Sequence, residues 1–250
     1  MRIDLAERLA DIIGQSLSSD YLHEALARSS RELGFDHFAL ALEIGGFAGN
    51  GTSVLIHDYP ANWADVYIGF NLAASDPVRR AAERSIIGFP WRKVGDMIPV
   101  TPAEQAMFDI GLRHGIGDGY TVPRHLPGEM TGSCTFVTSP GKLFPVEMLA
   151  VAELVGAVAI ASGRHIAGWG NRVERPKLTD RQRDCVLWAA RGKTDLEIAI
   201  ILGISRETVI QHLKEARERY RTGNRASLIL LALFDGLISF ADIFRWRVRN

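Results

Sequence analysis

The sequence predicts an α+β protein with two domains: an N-terminal α-β-α sandwich with an antiparallel sheet, and a C-terminal all-α helix-turn-helix domain. Three observations lead to this fold class. In the first part of the chain, apolar residues at helical spacing alternate with short runs of β-branched and aromatic residues. From residue 176 onward the spacing is helical throughout. That second part carries 14 Lys and Arg against 9 Asp and Glu, whereas residues 1–175 carry 15 against 20.

In the first domain, helices are predicted where apolar residues recur every three to four positions. Asp76-Pro77 and Thr101-Pro102 mark two helix starts, because proline suits the first turn of a helix. A glycine-rich turn over residues 45–51 predicts a hairpin of the strands on either side. The predicted helices are residues 2–17, 20–33, 61–70, 76–85, 102–114 and 145–161, and the predicted strands are residues 37–44, 52–57, 119–123 and 133–139.

Glycine, proline and charged residues interrupt the apolar pattern between the two domains. We therefore expect a first domain over residues 1–162, a linker over residues 163–175 and a helix-turn-helix domain over residues 176–250. The chain opens with charged residues among apolar ones, which is not the pattern of a signal peptide. No stretch approaches 18 uninterrupted apolar residues, so we expect no membrane span and a cytoplasmic protein.

The second domain contains the pattern of three short helices with tight breaks. Thr179, Thr194 and Ser205 are suited to cap the starts of these helices, and Gly192 and Gly203 to end the first two. A helix, a short glycine-containing turn and a polar-faced helix form a helix-turn-helix, whose second helix reads DNA. The spacing alone also allows a plain helical hairpin in a larger core.

The third of these helices has a predicted core stripe of Val209, His212, Leu213 and Ala216, which leaves polar residues facing outward. On that outward face, Arg206 is suited to guanine and Ile210 to a thymine methyl group. The predicted base-reading residues are Arg206, Ile210, Gln211 and Lys214. The predicted phosphate-binding residues are Lys193, Thr194 and Thr208.

Short motifs in the second domain resemble the DNA-binding domain of LuxR-type transcription factors. The matching segments are GKT at 192–194, EIA at 197–199, IS at 204–205, TV at 208–209, HL at 212–213 and Asn224-Arg225. Two positions depart from the family pattern, Gln182 where Glu is usual and Tyr220 where Leu is usual. The resemblance implies binding to double-stranded promoter DNA and control of transcription, with RNA polymerase as a further partner.

A homodimer on a palindromic promoter site is expected, because a single reading helix contacts too few bases for high specificity. Residues 225–240 are predicted to form one apolar final helix. It is rich in Leu and Ile, so part of it is expected to make the dimer contact, with core packing as the alternative.

Aromatic residues recur every four positions at Tyr59, Trp63 and Tyr67, on one face of a predicted helix. Such a stripe is usually core, but buried Tyr and Trp need partners for their polar tips, and a polar ligand provides them. Asp76 is suited either to cap a helix or to accept a hydrogen bond from a ligand, and its spacing favours the cap.

These residues, with Asp76-Pro77, Trp91 and Gly119, resemble the signature of the autoinducer-binding domain of LuxR-type quorum-sensing regulators. The resemblance implies an N-acyl-homoserine lactone as the ligand. It implies that Trp63 donates to the lactone carbonyl, that Asp76 accepts the amide N–H and that Tyr67 donates to the acyl carbonyl. It further implies that Tyr59 and Thr135 are wall partners, that Trp91 packs near the lactone ring and that Gly119 is structural.

The acyl tail is left open between straight, branched and aryl forms. Its expected neighbours are apolar residues of the predicted strands and helices. They are Leu40, Leu42, Val54, Ile56, Phe70, Leu72, Val78 and Phe108.

Other functions are disfavoured by missing motifs. A lactone hydrolase would need a nucleophile with a base or a metal cluster, and neither H-E-x-x-H nor G-x-S-x-G occurs. A response regulator would need a phosphoacceptor aspartate after a buried strand, and neither Asp36 nor Asp58 has that setting. We therefore expect no enzyme, no metal and no cofactor, and expect Cys134 and Cys185 to be buried. An orphan regulator that responds to a different small molecule, or to none, remains the alternative.

Overall fold

The structure is a computed structural model that describes residues 2–44, 52–69, 76–124, 132–167 and 176–244. These residues form two compact units, the first up to residue 167 and the second from residue 176. The last helix of the first unit continues to Ile166, so the first four residues of the predicted linker are helical. Residues 168–175 lie outside the described ranges.

The first unit combines helices with an antiparallel sheet. Its helices are α1 Arg2–Gly14, α2 Ser19–Glu32, α3 Ala61–Gly69, α4 Pro77–Ala82, α5 Val94–Met97, α6 Pro102–Arg113 and α7 Leu149–Ile166. Its strands are β1 His37–Ile44, β2 Thr52–His57, β3 Phe89–Pro90, β4 Gly119–Arg124 and β5 Gly132–Val137. Among the described strands the order is β2-β1-β5-β4-β3, and every neighbouring pair is antiparallel. This confirms the predicted antiparallel sheet.

Two short elements were not predicted from the sequence, β3 and the helix α5 that follows a 3-10 turn at Trp91–Lys93. Strand β3 is only two residues long and contains a proline. It pairs with Tyr120 and Thr121 of β4 at the edge of the sheet. Proline lacks a backbone N–H and is tolerated at such an edge, so neither its length nor its composition marks it as a strand.

One face of the sheet packs against α2 and α7, and α1 packs against α7 on the same side. Strand residues such as Phe38, Leu40 and Phe136 are buried there with Leu26 of α2. The segment Val146–Ile166 is long and apolar enough to cross a membrane by length and composition. Five residues on one side of it are buried in this core, so α7 is the central core helix of the unit; they are Val151, Ala152, Val155, Ala159 and Ile160.

The other face of the sheet is covered by α3, α4, α5 and α6, which gives the sandwich its third layer. These helices form two small apolar clusters instead of one continuous core. One cluster is centred on Val78 and Phe89, and the other on Trp63, Ile116 and Val137. The space between the clusters and the sheet is where the cavity described below lies.

The second unit is entirely helical within its described residues. Its helices are α8 Asp180–Ala190, α9 Asp195–Leu202, α10 Arg206–Arg219, α11 Arg225–Phe234 and α12 Phe240–Ile243. Each predicted cap, Thr179, Thr194 and Ser205, accepts a hydrogen bond from the backbone N–H three residues later. Gly203 ends α9 in the left-handed conformation, with φ of 65°. The predicted helix-turn-helix is therefore α9 followed by α10.

The prediction of one helix over residues 225–240 was wrong. Helix α11 ends at Phe234, and α12 begins only after its cap at Ser239. Gly236 has φ of 69°, which a residue with a side chain rarely adopts. Leu237 and Ile238 after this turn still pack into the core of the unit, so the apolar pattern runs on through the break.

Candidate functional site

A cavity of about 350 Å³ lies in the first unit between the sheet and α3, α4 and α6. Small residues of β1 and hydroxyl residues of β4 and β5 form its sheet side, and aromatic residues of the helical layer contribute much of the rest. The cavity is lined by Ala39, Ala41, Leu42, Val54, Leu55, Tyr59, Trp63, Tyr67, Asp76, Val78, Arg79, Trp91, Met107, Phe108, Gly111, Ile116, Gly117, Thr121, Ser133 and Thr135. All six residues that were predicted to bind the ligand therefore line this cavity.

Helix α3 carries the predicted aromatic stripe into the cavity wall. The rings of Trp63 and Tyr67 lie one turn apart, with centroids 5.7 Å from each other. Trp63 is buried and also packs against the ring of His114. Tyr59, just before α3, packs against the ring of His57. The stripe thus belongs both to a small core and to the cavity, which combines the two interpretations of its spacing.

Asp76 has two roles in its own segment. One carboxylate oxygen accepts a hydrogen bond from the backbone N–H of Val78 at 2.8 Å, which caps α4. The other accepts from the hydroxyl of Tyr67, also at 2.8 Å. Burial raises the pKa of Asp76, although these hydrogen bonds oppose the shift. Burial, together with the charge of Asp76, also raises the pKa of Tyr67, so that this phenol stays a donor.

A chain of hydrogen bonds runs along the sheet side of the cavity. The indole N–H of Trp91 donates to the hydroxyl of Thr121 at 2.9 Å, and that hydroxyl lies 3.0 Å from the hydroxyl of Thr135. Two hydroxyl groups share one hydrogen bond, so one O–H hydrogen has no acceptor among the described residues. Both threonines are buried and line the cavity. The pair can therefore offer one donor to an oxygen in the cavity.

Gly119 makes room for Trp91. A Cβ atom at this position would lie 2.5 Å from Cε2 of the indole, closer than real Cβ atoms approach. The glycine thus lets the Trp91 ring lie flat against β4, where its N–H reaches Thr121.

The expected neighbours of the acyl tail were partly wrong. Leu40 and Ile56 belong to the core on the opposite face of the sheet, and Leu42 and Val54 pack in that core while also bordering the cavity. Val78 and Phe108 do line the cavity, and Phe70 and Leu72 lie outside the described residues. Successive strand residues alternate between faces, so the cavity side of β1 and β2 is formed instead by Ala39, Ala41 and Leu55.

Sequence reasoning missed Thr121, Ser133 and Arg79 as cavity residues. The signal available for the two hydroxyl residues was strand alternation, since Thr135 lies two positions after Ser133 and opposite Thr121.

Within the described ranges, no group of three His, Cys, Asp or Glu side chains is placed so that it could hold a metal ion. Cys134 and Cys185 are both buried and free, as expected.

The outward face of α10 is the candidate DNA-binding surface. Arg206, Ile210, Gln211 and Lys214 are all exposed, and Ile210 exposes 40% of its surface. The opposite stripe of Val209, Leu213 and Ala216 is buried in the core of the unit, while His212 is half-buried. The helix therefore presents the four predicted base-reading residues together on one side.

The three predicted phosphate-binding residues lie at the starts of α9 and α10, and each already makes local hydrogen bonds. Thr194 caps α9 and exchanges hydrogen bonds with Glu197, and the ammonium of Lys193 lies 2.9 Å from the same carboxylate. The backbone N–H of Thr194, with these side-chain bonds, lowers the pKa of Glu197 to about 2. The hydroxyl of Thr208 lies 3.0 Å from that of Ser205. These residues thus fix the start of each helix.

Both units match known protein families. Residues 18–166 match the model of the autoinducer binding domain, and residues 176–232 match that of the bacterial regulatory proteins of the luxR family. The chain is 30% identical over 184 residues to the quorum sensing-dependent transcriptional regulator RpaR of Rhodopseudomonas palustris, covering 74% of each chain. It is 25% identical over 224 residues to the transcriptional activator AhyR of Aeromonas hydrophila, covering 88% of this chain and 86% of the relative.

The fold is also similar to that of a solved structure. The crystal structure of SdiA from Escherichia coli superposes with a TM-score of 0.69 at 20% identity, covering 94% of this chain and 98% of SdiA. The family is one of transcriptional regulators and not of enzymes. The chain therefore belongs to the LuxR family of quorum-sensing transcriptional regulators, with an autoinducer-binding domain followed by a helix-turn-helix DNA-binding domain.

Proposed function

We propose that the cavity binds an N-acyl-homoserine lactone with a straight, branched or aryl tail. The observation that carries the proposal is the buried carboxylate of Asp76, which lines the cavity beside the hydroxyl of Tyr67. A carboxylate only accepts hydrogen bonds, whereas a phenol and an indole donate them. A ligand with one amide N–H and several carbonyl oxygens matches such a set.

Each polar group at the head of the ligand then has a partner. Asp76 accepts the amide N–H. Tyr67 has a single O–H, which donates to Asp76 in the structure, so on ligand binding it turns away from Asp76 and donates to the acyl carbonyl. The indole N–H of Trp63, which has no hydrogen bond within the described part of the chain, donates to the lactone carbonyl. An unpaired buried donor or acceptor costs about 1–3 kcal/mol, so this pairing favours the lactone over an apolar ligand of the same shape.

The remaining predicted residues form walls. Trp91 lies beside the lactone ring, and Tyr59 closes the cavity next to α3. Thr135, with its partner Thr121, supplies the one hydroxyl donor for an oxygen of the acyl group. Desolvation raises the pKa of Tyr59, so it too remains a neutral phenol.

Thermal unfolding of the purified chain against a panel of acyl- and aryl-homoserine lactones tests the proposal. A ligand that binds only the folded state raises the melting temperature, and the responding class identifies the tail. At the same lactone concentration the shift should be clearly smaller in Asp76→Asn, which keeps a capping side chain for α4. If folded protein shows no shift with any lactone, the protein is an orphan regulator that responds to a different small molecule or to none.

The second part of the proposal is that the protein acts in the cytoplasm as a homodimer on a palindromic promoter site. Arg206, Ile210, Gln211 and Lys214 read bases, and Lys193, Thr194 and Thr208 contact phosphates. Leu230 on α11 is 56% exposed and is suited to the dimer contact. RNA polymerase is the expected further partner at the promoter.

Sedimentation of the chain with and without lactone tests the dimer. A shift toward twice the monomer mass, lost in Leu230→Glu, supports α11 as the contact. A monomer under all conditions, in protein that still binds DNA, contradicts the homodimer.

A further inference from the structure

Gln182 is buried at the start of α8, with 2% of its surface exposed. Its side-chain oxygen accepts a hydrogen bond from the backbone N–H of Thr179 at 3.0 Å, which closes the capping box of α8. Its side-chain nitrogen donates to the carboxylate of Glu215, on α10, at 2.7 Å. The amide thus connects the cap of α8 to the DNA-facing helix.

The same carboxylate also holds a residue of the outward face. Its second oxygen accepts a hydrogen bond from the side-chain nitrogen of Gln211 at 2.8 Å. A carboxylate has no donor, so both amides must turn their nitrogens toward it, and their orientation is fixed by chemistry. The hydrogen bonds from Gln211 and then Gln182 lower the pKa of Glu215, which keeps it an ionised acceptor.

Gln211 is left with a defined set of free groups. One N–H is bound to Glu215, so its carbonyl oxygen and its second N–H remain for DNA. In the major groove adenine offers an acceptor at N7 and a donor at N6, and a glutamine amide pairs with both. Because Glu215 already holds Gln211 in this orientation, Gln211 loses less conformational entropy on binding DNA than an unrestrained glutamine would.

We propose that Gln182 is a positioning residue that acts through Glu215 to orient Gln211 for reading an adenine. This rests on the proposed function, in which α10 reads bases. Capping alone does not require a glutamine, because a glutamate at 182 would accept the same N–H of Thr179. Only the amide can both accept from the cap and donate to Glu215. Gln182, which stands where the family usually has Glu, therefore has a matching acceptor in Glu215 on α10.

The substitution Gln182→Glu separates the two roles. It keeps the acceptor for the cap but sets a second carboxylate against Glu215, which breaks the connection to Gln211. The double variant Gln182→Glu with Glu215→Gln restores it, since an amide at 215 donates to Glu at 182 and accepts from Gln211. Glu215→Ala breaks the connection without altering α8, which keeps the test valid if the first variant does not fold.

The experiment is selection of binding sites from a randomised DNA duplex library by the full chain, with circular dichroism to verify folding. The wild type should enrich a motif with a strongly preferred adenine. Gln182→Glu, Glu215→Ala and Gln211→Ala should each reduce that preference roughly tenfold, the value of one bidentate contact, and leave other positions unchanged. The double variant should recover it.

Three results overturn the proposal, and a fourth contradicts the proposed function instead. An unchanged motif in folded Gln182→Glu and Glu215→Ala contradicts the positioning role, as does a uniform loss of affinity at all positions, which a merely structural residue would cause. If folded wild type enriches no sequence in the presence or absence of lactones, the reading role of α10 itself fails. If Gln211→Ala removes the preference for adenine but Gln182→Glu and Glu215→Ala do not, Gln211 reads the base without help from Gln182.

Discussion

The cavity of the first unit and the outward face of α10 both present polar side chains, but in opposite surroundings. Asp76, Thr121 and Thr135 are buried, whereas Gln211 and Lys214 are exposed. In the cavity, a polar group without a partner bears its full desolvation cost. On α10, water and salt replace a lost contact and screen the charges. Changes in the cavity should therefore have larger effects than changes on α10, and only the latter should depend on salt.

The largest effect is expected for Asp76→Asn. The amide keeps a capping oxygen for α4 but loses the charge that the ligand's N–H approaches, and we expect roughly tenfold to hundredfold weaker lactone binding by calorimetry. The apo protein should not be destabilised, because burial raises the pKa of Asp76 and its charge is therefore costly in the folded state. Asp65→Asn, the same change at an exposed position of α3, is the control. Equal affinities of wild type and Asp76→Asn would refute the amide contact.

The second prediction concerns pH. The folded pKa of Asp76 is raised, so the empty protein loses stability as pH rises from the unfolded pKa to the folded pKa. A ligand N–H favours the ionised form. Lactone affinity should therefore increase with pH in this acidic window, by up to roughly tenfold per unit, with release of a proton. Calorimetry in buffers of different ionisation enthalpy measures that proton. A pH profile that persists in Asp76→Asn would assign the effect to another group.

A smaller loss is expected for Trp63→Phe, which keeps the ring but removes the indole N–H. One lost hydrogen bond should weaken lactone binding about tenfold, without a change in DNA affinity. Trp188→Phe, the same change in the second unit, serves as the control for ligand binding. A similar loss in both variants would indicate general destabilisation instead of a missing donor.

The smallest effect is expected for Lys214→Ala. Lys214 lies 3.9 Å from Glu218 and is exposed, so its charge is partly screened before DNA binds. We expect modestly weaker DNA binding and a salt dependence whose slope is reduced by about one, with lactone binding intact. Lys142→Ala, at an ion pair of the first unit, should leave the slope unchanged. An unaltered slope in Lys214→Ala would remove this residue from the DNA contact.

The two regions also differ in how well the sequence predicted them. The caps Thr179, Thr194 and Ser205 follow from local chemistry, and the structure contains all three. The cavity walls depend on which face of a strand meets which layer. Both faces of β1 are apolar, so the alternation of Ala39 and Leu40 did not reveal which residue lines the cavity.

Tertiary contacts account for the other differences. The break after α11 was missed because Leu237 and Ile238 continue the apolar pattern through the turn at Gly236. Gln182 was noted only as a departure from a family pattern. Its meaning depends on Glu215, which is 33 residues away in the sequence, and no local pattern reveals such a partner.

Because Asp76 both lines the cavity and holds the first turn of α4, the backbone N–H of Val78 is a natural reporter of occupancy. This amide shares its acceptor carboxylate with the ligand. Its rate of exchange with deuterated solvent should therefore change when the cavity fills, even if the rest of the helix keeps its protection. A single amide signal would then give the fraction of receptors that carry a signal molecule.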